Sequence, residues 1–383
     1  MTQAYPRIAI IGGGPGGLTR ARILHVKGID ATVFEADGAP DTRGQGGSLD
    51  LHTESGLAAL EAAGLMDAFN AVARPEDQSV KLYDPNGVCH FDDGDQPHDG
   101  RPEIDRAHLR ALLLRSLPQG TVRWGNRVRA IVPQSDGRFE VDLDGGSGGA
   151  FDLVVGAEGV WSKTRRLVTE AVPAYTGFTA IELYVDRGDT DHPDLADLVG
   201  RGKIFALGDS KALIAQRNSG GKVHIYVMLR MPETGLSGLD LACPEDARQR
   251  VKAELAGWSP ELLAFIDKAG DILAARPVYA FPIGFRWEHR DGVTLIGDAA
   301  HVMSPFAGEG VNNAMLDAMK LADAISRPDW RTGVARFEDE MFVRIVDSAR
   351  QSAQSLEAFL APDGLANALT IFAELTGASP NKI

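Results

Sequence analysis

The sequence predicts an α/β fold that combines a strand–helix domain, an inserted antiparallel sheet and a long C-terminal helix. Near the N-terminus, from Ile8 to Glu35, two apolar strand-like runs enclose a helical pattern. From Gly177 onward the strands are longer and alternate apolar with polar residues, as in a sheet with one buried face. Beyond Leu295 the apolar residues recur every three to four positions, which is the helical period.

The composition is typical of a soluble globular protein with room for two domains. Of the 383 residues, 44% are hydrophobic and 24% are charged. The net charge of −14 argues against a nucleic-acid partner, and any anionic cofactor must be held by local donors. Cys89 and Cys243 are the only cysteines, too few for a disulfide framework or a cysteine metal site, so we expect no metal.

The start of the chain and its hydropathy favour a cytoplasmic location. The first strand begins near Ile8, which leaves no room for a secretory leader. No apolar run approaches the roughly 20 residues of a membrane span. We therefore expect no membrane partner, and the sequence is compatible with a monomer.

The first strand runs into the motif Gly12-x-Gly14-x-x-Gly17, which is followed by a helix and a second strand that ends at Glu35. In such a motif the first glycine permits a tight turn, the second lets the backbone approach a diphosphate, and the third allows close packing. The helix N-terminus favours an anion, and an acidic residue roughly 20 positions further on is placed to bind a ribose. The candidate dinucleotide ligands are Gly12, Gly14, Pro15, Gly16, Gly17 and Glu35.

The elements that follow continue the pattern. Val80 to Phe91 predicts a strand pair that turns at residues 85–87. Phe151 to Gly156 is a short, wholly apolar strand, typical of a buried parallel sheet. Residues 144–149 predict a turn, and Cys243 to Ala269 predicts one helical stretch.

Three separated segments together resemble a known family: the glycine turn, residues 156–165 and residues 295–318. They are similar to the group A flavoprotein monooxygenases, the FAD-dependent aromatic hydroxylases, over nearly the whole chain. The resemblance is closest to the tetracycline-inactivating monooxygenases, through GGSLDLH at residues 46–52, IDRAHLRALLL at residues 104–114 and PFAGEGVN at residues 305–312.

The resemblance implies a Rossmann-like FAD-binding domain of the glutathione-reductase-like type, with an inserted antiparallel-sheet substrate domain and a long C-terminal helix. The expected bounds are 1–75, 102–170 and 272–325 for the FAD-binding domain, 76–101 and 171–271 for the substrate domain, and 326–383 for a C-terminal helical segment.

In the third segment, Asp298 follows a strand in a Gly-Asp turn, where it could accept a hydrogen bond from a ribityl hydroxyl. Gly308 and Gly310 permit close approach of the backbone to a ligand. The helix that starts near Val311 would direct its N–H groups at the flavin edge that becomes anionic on reduction. The match to the family extends to Asn312. An alternative role for Asp298 is to cap the helix that follows it.

Three further cofactor contacts rest on the resemblance. It implies FAD contacts at Arg110 and Asp50 and an NADPH contact at Arg43. Taken singly, each of these residues would be an ordinary surface charge. The family commonly has Asp-Gly where this chain has Glu158-Gly159, and the longer side chain leaves the choice between NADPH and NADH open.

For the substrate, the resemblance implies contacts at Glu182, Lys203, His224 and Phe306. The tetracycline-inactivating enzymes carry glutamine and arginine at the positions of Glu182 and Lys203, and a lysine does not reproduce the paired donors of an arginine. His224 lies on the polar face of its strand and could equally be a structural histidine.

The implied reaction is hydroxylation by a flavin. NADPH or NADH would reduce FAD as a transient donor, O2 would add to form a C4a-hydroperoxide, and one oxygen would pass to an electron-rich carbon. Because the flavin carries the chemistry, no protein residue is named as catalytic. We expect a tetracycline-like or other polycyclic phenolic or polyketide substrate. The alternatives are an FAD-dependent oxidase or reductase without oxygen insertion, and a non-catalytic flavin- or drug-binding protein.

Overall fold

The computed structural model describes residues 5–42, 46–94, 100–236, 239, 241, 243–270 and 274–376. In chain order the strands are β1 (Ile8–Ile11), β2 (Ala31–Phe34), β3 (Ser48–Asp50), β4 (Ser79–Tyr83), β5 (Cys89–Asp92), β6 (Glu103–Asp105), β7 (Val122–Arg123), β8 (Val128–Pro133), β9 (Phe139–Leu143), β10 (Gly146–Phe151), β11 (Leu153–Gly156), β12 (Ala174–Val185), β13 (Gly202–Gly208), β14 (Lys211–Arg217), β15 (Val223–Arg230), β16 (Ala274–Ala280) and β17 (Val293–Leu295).

The α-helices are α1 (Pro15–Val26), α2 (Ala58–Ala62), α3 (Met66–Asn70), α4 (Arg106–Arg115), α5 (Gly188–Asp191), α6 (Pro193–Val199), α7 (Pro244–Glu254), α8 (Pro260–Asp267), α9 (Asp298–His301), α10 (Glu309–Ile325), α11 (Trp330–Phe359) and α12 (Gly364–Thr376). Thr53–Leu57 is a π-helix, and short 3-10 helices span Thr164–Leu167, Ser219–Gly221 and Pro305–Ala307.

Contacts divide the chain into two compact units. The first unit comprises residues 1–73, 106–174 and 279–352, and the second comprises residues 74–105, 175–278 and 353–383. Within the described ranges, no helix combines the length and the apolar character that a membrane span requires.

The first unit is built on a five-stranded parallel sheet in the order β17-β11-β1-β2-β7. Its three central strands, β11, β1 and β2, are short and largely buried, as the apolar runs of the sequence predict. Helix α1 packs against α10, because Gly16 lets Ala314 approach closely and Lys27 pairs with Asp323 at 2.9 Å. The order brings the ends of β1, β11 and β17 to one edge of the sheet.

A three-stranded antiparallel sheet, β10-β9-β8, belongs to the same unit. The prediction of a turn at residues 144–149 is wrong in its second half, where β10 already pairs with β9 from Gly146 onward. The glycines of residues 144–149 made this segment look like a turn in the sequence. The strand pair requires glycine at Gly149, where the register shifts and the backbone has a φ of +104°.

The second unit contains a seven-stranded sheet in the order β16-β12-β15-β14-β13-β4-β5. The predicted period-two alternation is confirmed: Ile181, Leu183, Ile225 and Val227 lie in one apolar core together with residues of α6, α7 and α8. On the opposite face, Phe205 of β13 packs on Phe359 and Phe372 of the C-terminal helices, with ring centroids 5.6 and 6.3 Å apart.

The predicted helical stretch from Cys243 to Ala269 is interrupted in the structure. Helix α7 ends at Glu254, and α8 starts at Pro260 after an N-cap at Ser259, whose Oγ accepts a hydrogen bond from the N–H of Leu262. A proline suits the first turn of a new helix but not the interior of a longer one.

Candidate cofactor and substrate sites

The glycine turn after β1 needs each of its glycines for a different reason. Gly12 has a φ of +106°, and a Cβ there would lie 2.8 Å from Cα of Glu158. A Cβ on Gly17 would overlap the carbonyl oxygen of Gly12. Gly14 differs from both, because a Cβ there would meet no described atom within 4 Å. Gly12 and Gly17 are thus required by the protein's own packing, whereas Gly14 borders open space.

Helix α1 presents a bare N-terminus beside that space. Gly14 is the N-cap and offers no capping side chain, Pro15 occupies the first turn, and no acidic residue lies in that turn. The N–H groups of such a helix end, together with the helix dipole, form an anion site.

Glu35 and Arg110 both contact this turn. The buried carboxylate of Glu35 accepts hydrogen bonds from the N–H groups of Gly13 (2.7 Å) and Asp37 (2.9 Å). The guanidinium of Arg110 is also buried, and its Nε donates to the carbonyl of Gly13 at 3.4 Å. Its Nη2 lies 3.5 Å from Asp37. Two residues far apart in sequence therefore converge on the glycine turn.

Glu158, where the family commonly has aspartate, has a clear local role. Its Oε1 accepts hydrogen bonds from the N–H (2.8 Å) and the hydroxyl (2.7 Å) of Thr164, the first residue of the 3-10 helix that ends at Leu167. The longer side chain thus secures the start of this helix.

Strand β17 leads into a sharp turn at Gly297, which has a φ of +58° and is the N-cap of α9. Asp298 is the first residue of that helix and makes no capping bond, so the structure contradicts the capping alternative. Asp298 has exposed surface, but the surrounding protein atoms desolvate its carboxyl and raise the pKa of that carboxyl. His301 and Arg106 act in the opposite direction and lower the pKa.

Asp317, which was not identified from the sequence, binds the backbone of this turn. It is completely buried and accepts hydrogen bonds from the N–H of Gly297 (3.0 Å), from Nε2 of His301 (2.7 Å) and from Nη2 of Arg344 (2.6 Å). Burial alone would raise the pKa of Asp317, but the two basic side chains and the Gly297 N–H outweigh it, so the pKa is lowered. No local motif marks Asp317, because its partners come from separate segments.

The loop before α10 adopts the conformation that its glycines predict. Gly308, with a φ of +69°, is the N-cap of α10, and the helix begins at Glu309, two residues before the predicted Val311. Gly310 lies in the first turn.

The buried side chain of Asn312 accepts the N–H of His52 (2.9 Å) and donates to the carbonyl of Asp50 (2.9 Å). Asn312 therefore ties the segment after β3 to the start of α10.

A second buried arginine, Arg165, was also missed. Its Nη1 donates to the carbonyl of Ala299 at 3.0 Å, and its guanidinium lies 4.9 Å from the ring centroid of Phe281. Burial lowers the pKa of Arg165. Phe281 stacks on Phe285 at 4.0 Å, which places apolar rings near α9. Arg165 lies in the segment 156–165, but its spacing alone gave no signal.

Three predicted substrate residues share one face of the sheet in the second unit. Tyr184 pairs with His224, His224 with Gln216, and Gln216 with Lys203, in one row across four strands. In the neighbouring row, Glu182 pairs with Tyr226. Residues directly opposite each other point to the same side, so Glu182, Lys203 and His224 lie on the same face of the sheet.

The environments of these residues differ. His224 is completely buried, and its ring lies 4.3 Å from Tyr184 and 4.2 Å from Tyr226, which favours its structural role. Glu182 accepts a hydrogen bond from Nε of Arg276 at 2.8 Å. Nζ of Lys203 lies 3.7 Å from the buried carboxylate of Glu103. Each of the two charged residues is thus paired with an oppositely charged side chain of the second unit.

Two predicted residues stand apart from this group. Phe306 belongs to the 3-10 helix Pro305–Ala307 in the first unit, and Arg43 lies outside the described residues. Among the residues described, no cluster of potential ligands could hold a metal ion.

The donor set of the first unit fits a dinucleotide with an anionic diphosphate. It combines an uncapped helix N-terminus, a glycine beside open space, a carboxylate at the end of β2 and a second helix N-terminus at α10.

Comparison with known proteins agrees with this geometry. A family model described as FAD binding domain matches residues 6–328. The monooxygenase penA of Penicillium thymicola is 32% identical over 367 residues, covering 83% of this chain and 84% of penA.

Two solved structures share the fold. Klebsiella pneumoniae HpxO, complexed with FAD and uric acid, has a TM-score of 0.79 at 22% identity and covers 98% of this chain and 94% of its own. The tetracycline destructase Tet(55) has a TM-score of 0.77 at 21% identity, over 99% and 96% of the two chains. The predicted α/β fold, with its Rossmann-like and antiparallel-sheet parts, is confirmed, and so is the FAD cofactor. The chain belongs to the FAD-binding-domain family and is an FAD-dependent monooxygenase of the aromatic-hydroxylase type.

Proposed function

We propose that this monooxygenase consumes NAD(P)H and O2 to hydroxylate a tetracycline-like or other polycyclic phenolic or polyketide substrate. When bound, FAD supplies the chemistry, because it accepts a hydride from NAD(P)H and activates O2 for transfer of one oxygen atom. The protein's task is to hold the cofactor, orient the substrate and exclude water from the reacting atoms.

The first unit would hold the cofactor. The bare end of α1 would bind the diphosphate and Glu35 the ribose, with Arg110 beside the same turn. Asp298 would accept a ribityl hydroxyl, while Gly308, Gly310 and Val311 would bring the end of α10 to the ring. Asn312 would act indirectly, because its side chain already bonds the backbone of Asp50 and His52 and so holds them to α10. Asp50 would lie at the ring side of this junction.

The second unit would bind the substrate on the polar face of its sheet. The observation that carries this proposal is that Glu182, Lys203 and His224, from two neighbouring rows, share one face of the sheet with two tyrosines. Aromatic rings offer a planar substrate large contact area, and paired charges supply fixed donors and acceptors. His224 would act by packing against the two tyrosine rings.

The pyridine nucleotide would bind transiently. The sequence carries no second glycine fingerprint for a separate nucleotide domain. Arg43 would provide the contact to NADPH. Glu158 stands where the family commonly has aspartate, and its carboxylate accepts two hydrogen bonds from Thr164. We therefore expect this glutamate to affect the 3-10 helix that begins at Thr164 more than the choice between NADPH and NADH. We place the protein in the cytoplasm, acting as a monomer.

The test is a substrate screen with the FAD-loaded enzyme. Polycyclic phenols, polyketides and tetracyclines are screened for faster NADPH oxidation, and products are analysed by mass spectrometry. The proposal expects a compound that both accelerates NADPH oxidation and gains one oxygen atom derived from O2. Substrate-stimulated oxidation that yields only hydrogen peroxide and unmodified compounds throughout the panel would contradict it. So would FAD that NADPH and NADH both fail to reduce.

A further inference from the structure

Arg20 is a completely buried arginine in the middle of helix α1. None of its three guanidinium nitrogens has a hydrogen-bond partner among the residues that the structure describes. Burial lowers the pKa of Arg20 to about 9, and no charged neighbour contributes to this shift. The side chain therefore keeps its positive charge at neutral pH. Because a buried charge without a partner is costly, this guanidinium calls for an explanation.

Arg20 lies on the side of α1 that packs against α10. It shares that side with Gly16 and Lys27, which are four residues before it and seven after it. Gly16 lies against Ala314, and Lys27 pairs with Asp323, both residues of α10. The Cα of Arg20 is roughly 7.5 Å along the helix axis from the first residue of α1. Long side chains on a helix lean toward its N-terminus, so the guanidinium is closer still to that end.

The N-terminus of α1 is where the proposed function places the diphosphate of FAD. Gly14 offers no capping side chain there, and the first turn carries no acidic residue. The nitrogens of Arg20 are shielded from solvent, so they act on a ligand at this end through the intervening protein. Electrostatic interactions through protein are screened much less than interactions through water. A buried cation about one helical turn behind an anion site therefore adds to the attraction of the helix dipole.

We propose that Arg20 strengthens FAD binding by placing a buried positive charge behind the diphosphate, and that the diphosphate supplies the counter-charge that no described residue provides. Arg20 is a positioning residue, since it acts through its electric field and not by contact. The inference rests on the proposed placement of the diphosphate at the N-terminus of α1. It requires that loss of this charge weakens FAD binding and stabilises the apoprotein.

The test measures the FAD dissociation constant and the melting temperature of the apoprotein for full-length Arg20→Met. Methionine keeps an unbranched apolar stem and removes the charge. We expect the dissociation constant for FAD to rise about tenfold or more, because the diphosphate loses a weakly screened attraction. The apoprotein should melt at a higher temperature than wild type, because an uncompensated buried charge is gone. Arg20→Gln, a second neutral variant, should weaken FAD binding to the same degree.

The matched control is Arg22→Met in the same helix. Arg22 is only partly buried, and it donates to the carbonyls of Ala63 (3.0 Å) and Ser116 (2.9 Å). Its charge is compensated locally, so its loss should leave the FAD dissociation constant close to the wild-type value.

Two results would overturn the role of Arg20. One is wild-type affinity for FAD in Arg20→Met and Arg20→Gln. The other is an Arg20→Met apoprotein that melts at a lower temperature and also binds FAD more weakly, which is the behaviour of a residue needed only for packing. Gly14→Ala separates the first result from a misplaced diphosphate. If Gly14→Ala weakens FAD binding, the placement stands and only the role of Arg20 is wrong; if it does not, the placement itself is wrong.

Discussion

Asp317 is the buried carboxylate on which the turn after β17 depends. It neutralises Arg344, accepts from His301 and holds the N–H of Gly297. Removing one partner of a buried ion pair leaves the other charge uncompensated, which costs about 3–5 kcal/mol. We therefore expect Asp317→Asn to lower the free energy of unfolding by about that amount in urea titrations.

The matched control for this prediction is Asp323→Asn. Asp323 pairs with Lys27 at 2.9 Å, but both side chains are partly exposed to solvent, so the loss should be about 1 kcal/mol or less. Equal losses in the two variants would show that the buried network contributes nothing beyond a surface pair.

Two buried residues with long-range partners, Asp317 and Arg165, were not identified from the sequence. Gly12, Gly17 and Glu35 were identifiable because they form one motif with a fixed spacing along the chain. Asp317 and Arg165 carry no such signal, since their partners are brought to them by the packing of separate elements.

At the level of elements, helix α11 is joined to the segment before β17 by a buried acid. Oε2 of Glu338 lies 2.7 Å from Nδ1 of His289. Burial on its own lowers the pKa of His289, but Glu338 and Asp291 outweigh it and raise the pKa overall. Burial raises the pKa of Glu338 more than His289 lowers it.

The pKa values of His289 and Glu338 are both raised in the folded protein, so both groups change stability with pH in the same direction. A group whose pKa is higher in the folded state contributes stability at low pH, and this contribution is lost as pH rises through the folded value. For His289 the loss begins above about pH 6.5, its unfolded value. We expect wild type to lose stability as pH rises above about 6.5, and His289→Gln to show a flatter profile in denaturant titrations. A variant with an equally steep loss would refute the assignment.

Elements with strong local patterns were predicted well, whereas strand β10 and the break between α7 and α8 were not. The alternation in β12 and β15 and the helical period of α10 are local properties of the chain. Strand β10 was missed because its glycines give the segment a low strand propensity. Pairing with β9 nevertheless holds the segment in a strand conformation. The break between α7 and α8 depends on the cap at Ser259.

At the scale of the whole molecule, we propose that the first unit binds the cofactor and the second binds the substrate. Glu182→Gln should then raise the substrate KM by roughly tenfold, because a desolvated charged contact is worth about 1–3 kcal/mol. The dissociation constant of FAD should stay at the wild-type value. Arg276→Ala, which removes the partner of Glu182, serves as the comparison and should raise KM less, since Arg276 is mostly exposed. An altered affinity for FAD in Glu182→Gln would contradict the division of tasks.

The overall fold was predictable, whereas the substrate was not. Strand and helix periods and one glycine motif suffice for the α/β architecture, because they report which surfaces must be buried. In the function that we propose, substrate choice depends on a few side chains such as Glu182 and Lys203, whose partners Arg276 and Glu103 are visible only in the folded chain.

The central claim, that the glycine turn holds the diphosphate of FAD, is tested most directly by FAD titration of Gly14→Ala. The added methyl meets no described protein atom within 4 Å, so the variant should fold and lose at most about 1 kcal/mol of stability at the N-cap. Its dissociation constant for FAD should rise at least tenfold, because the methyl occupies the space where the diphosphate must approach. Wild-type affinity for FAD in the folded variant would contradict the claim.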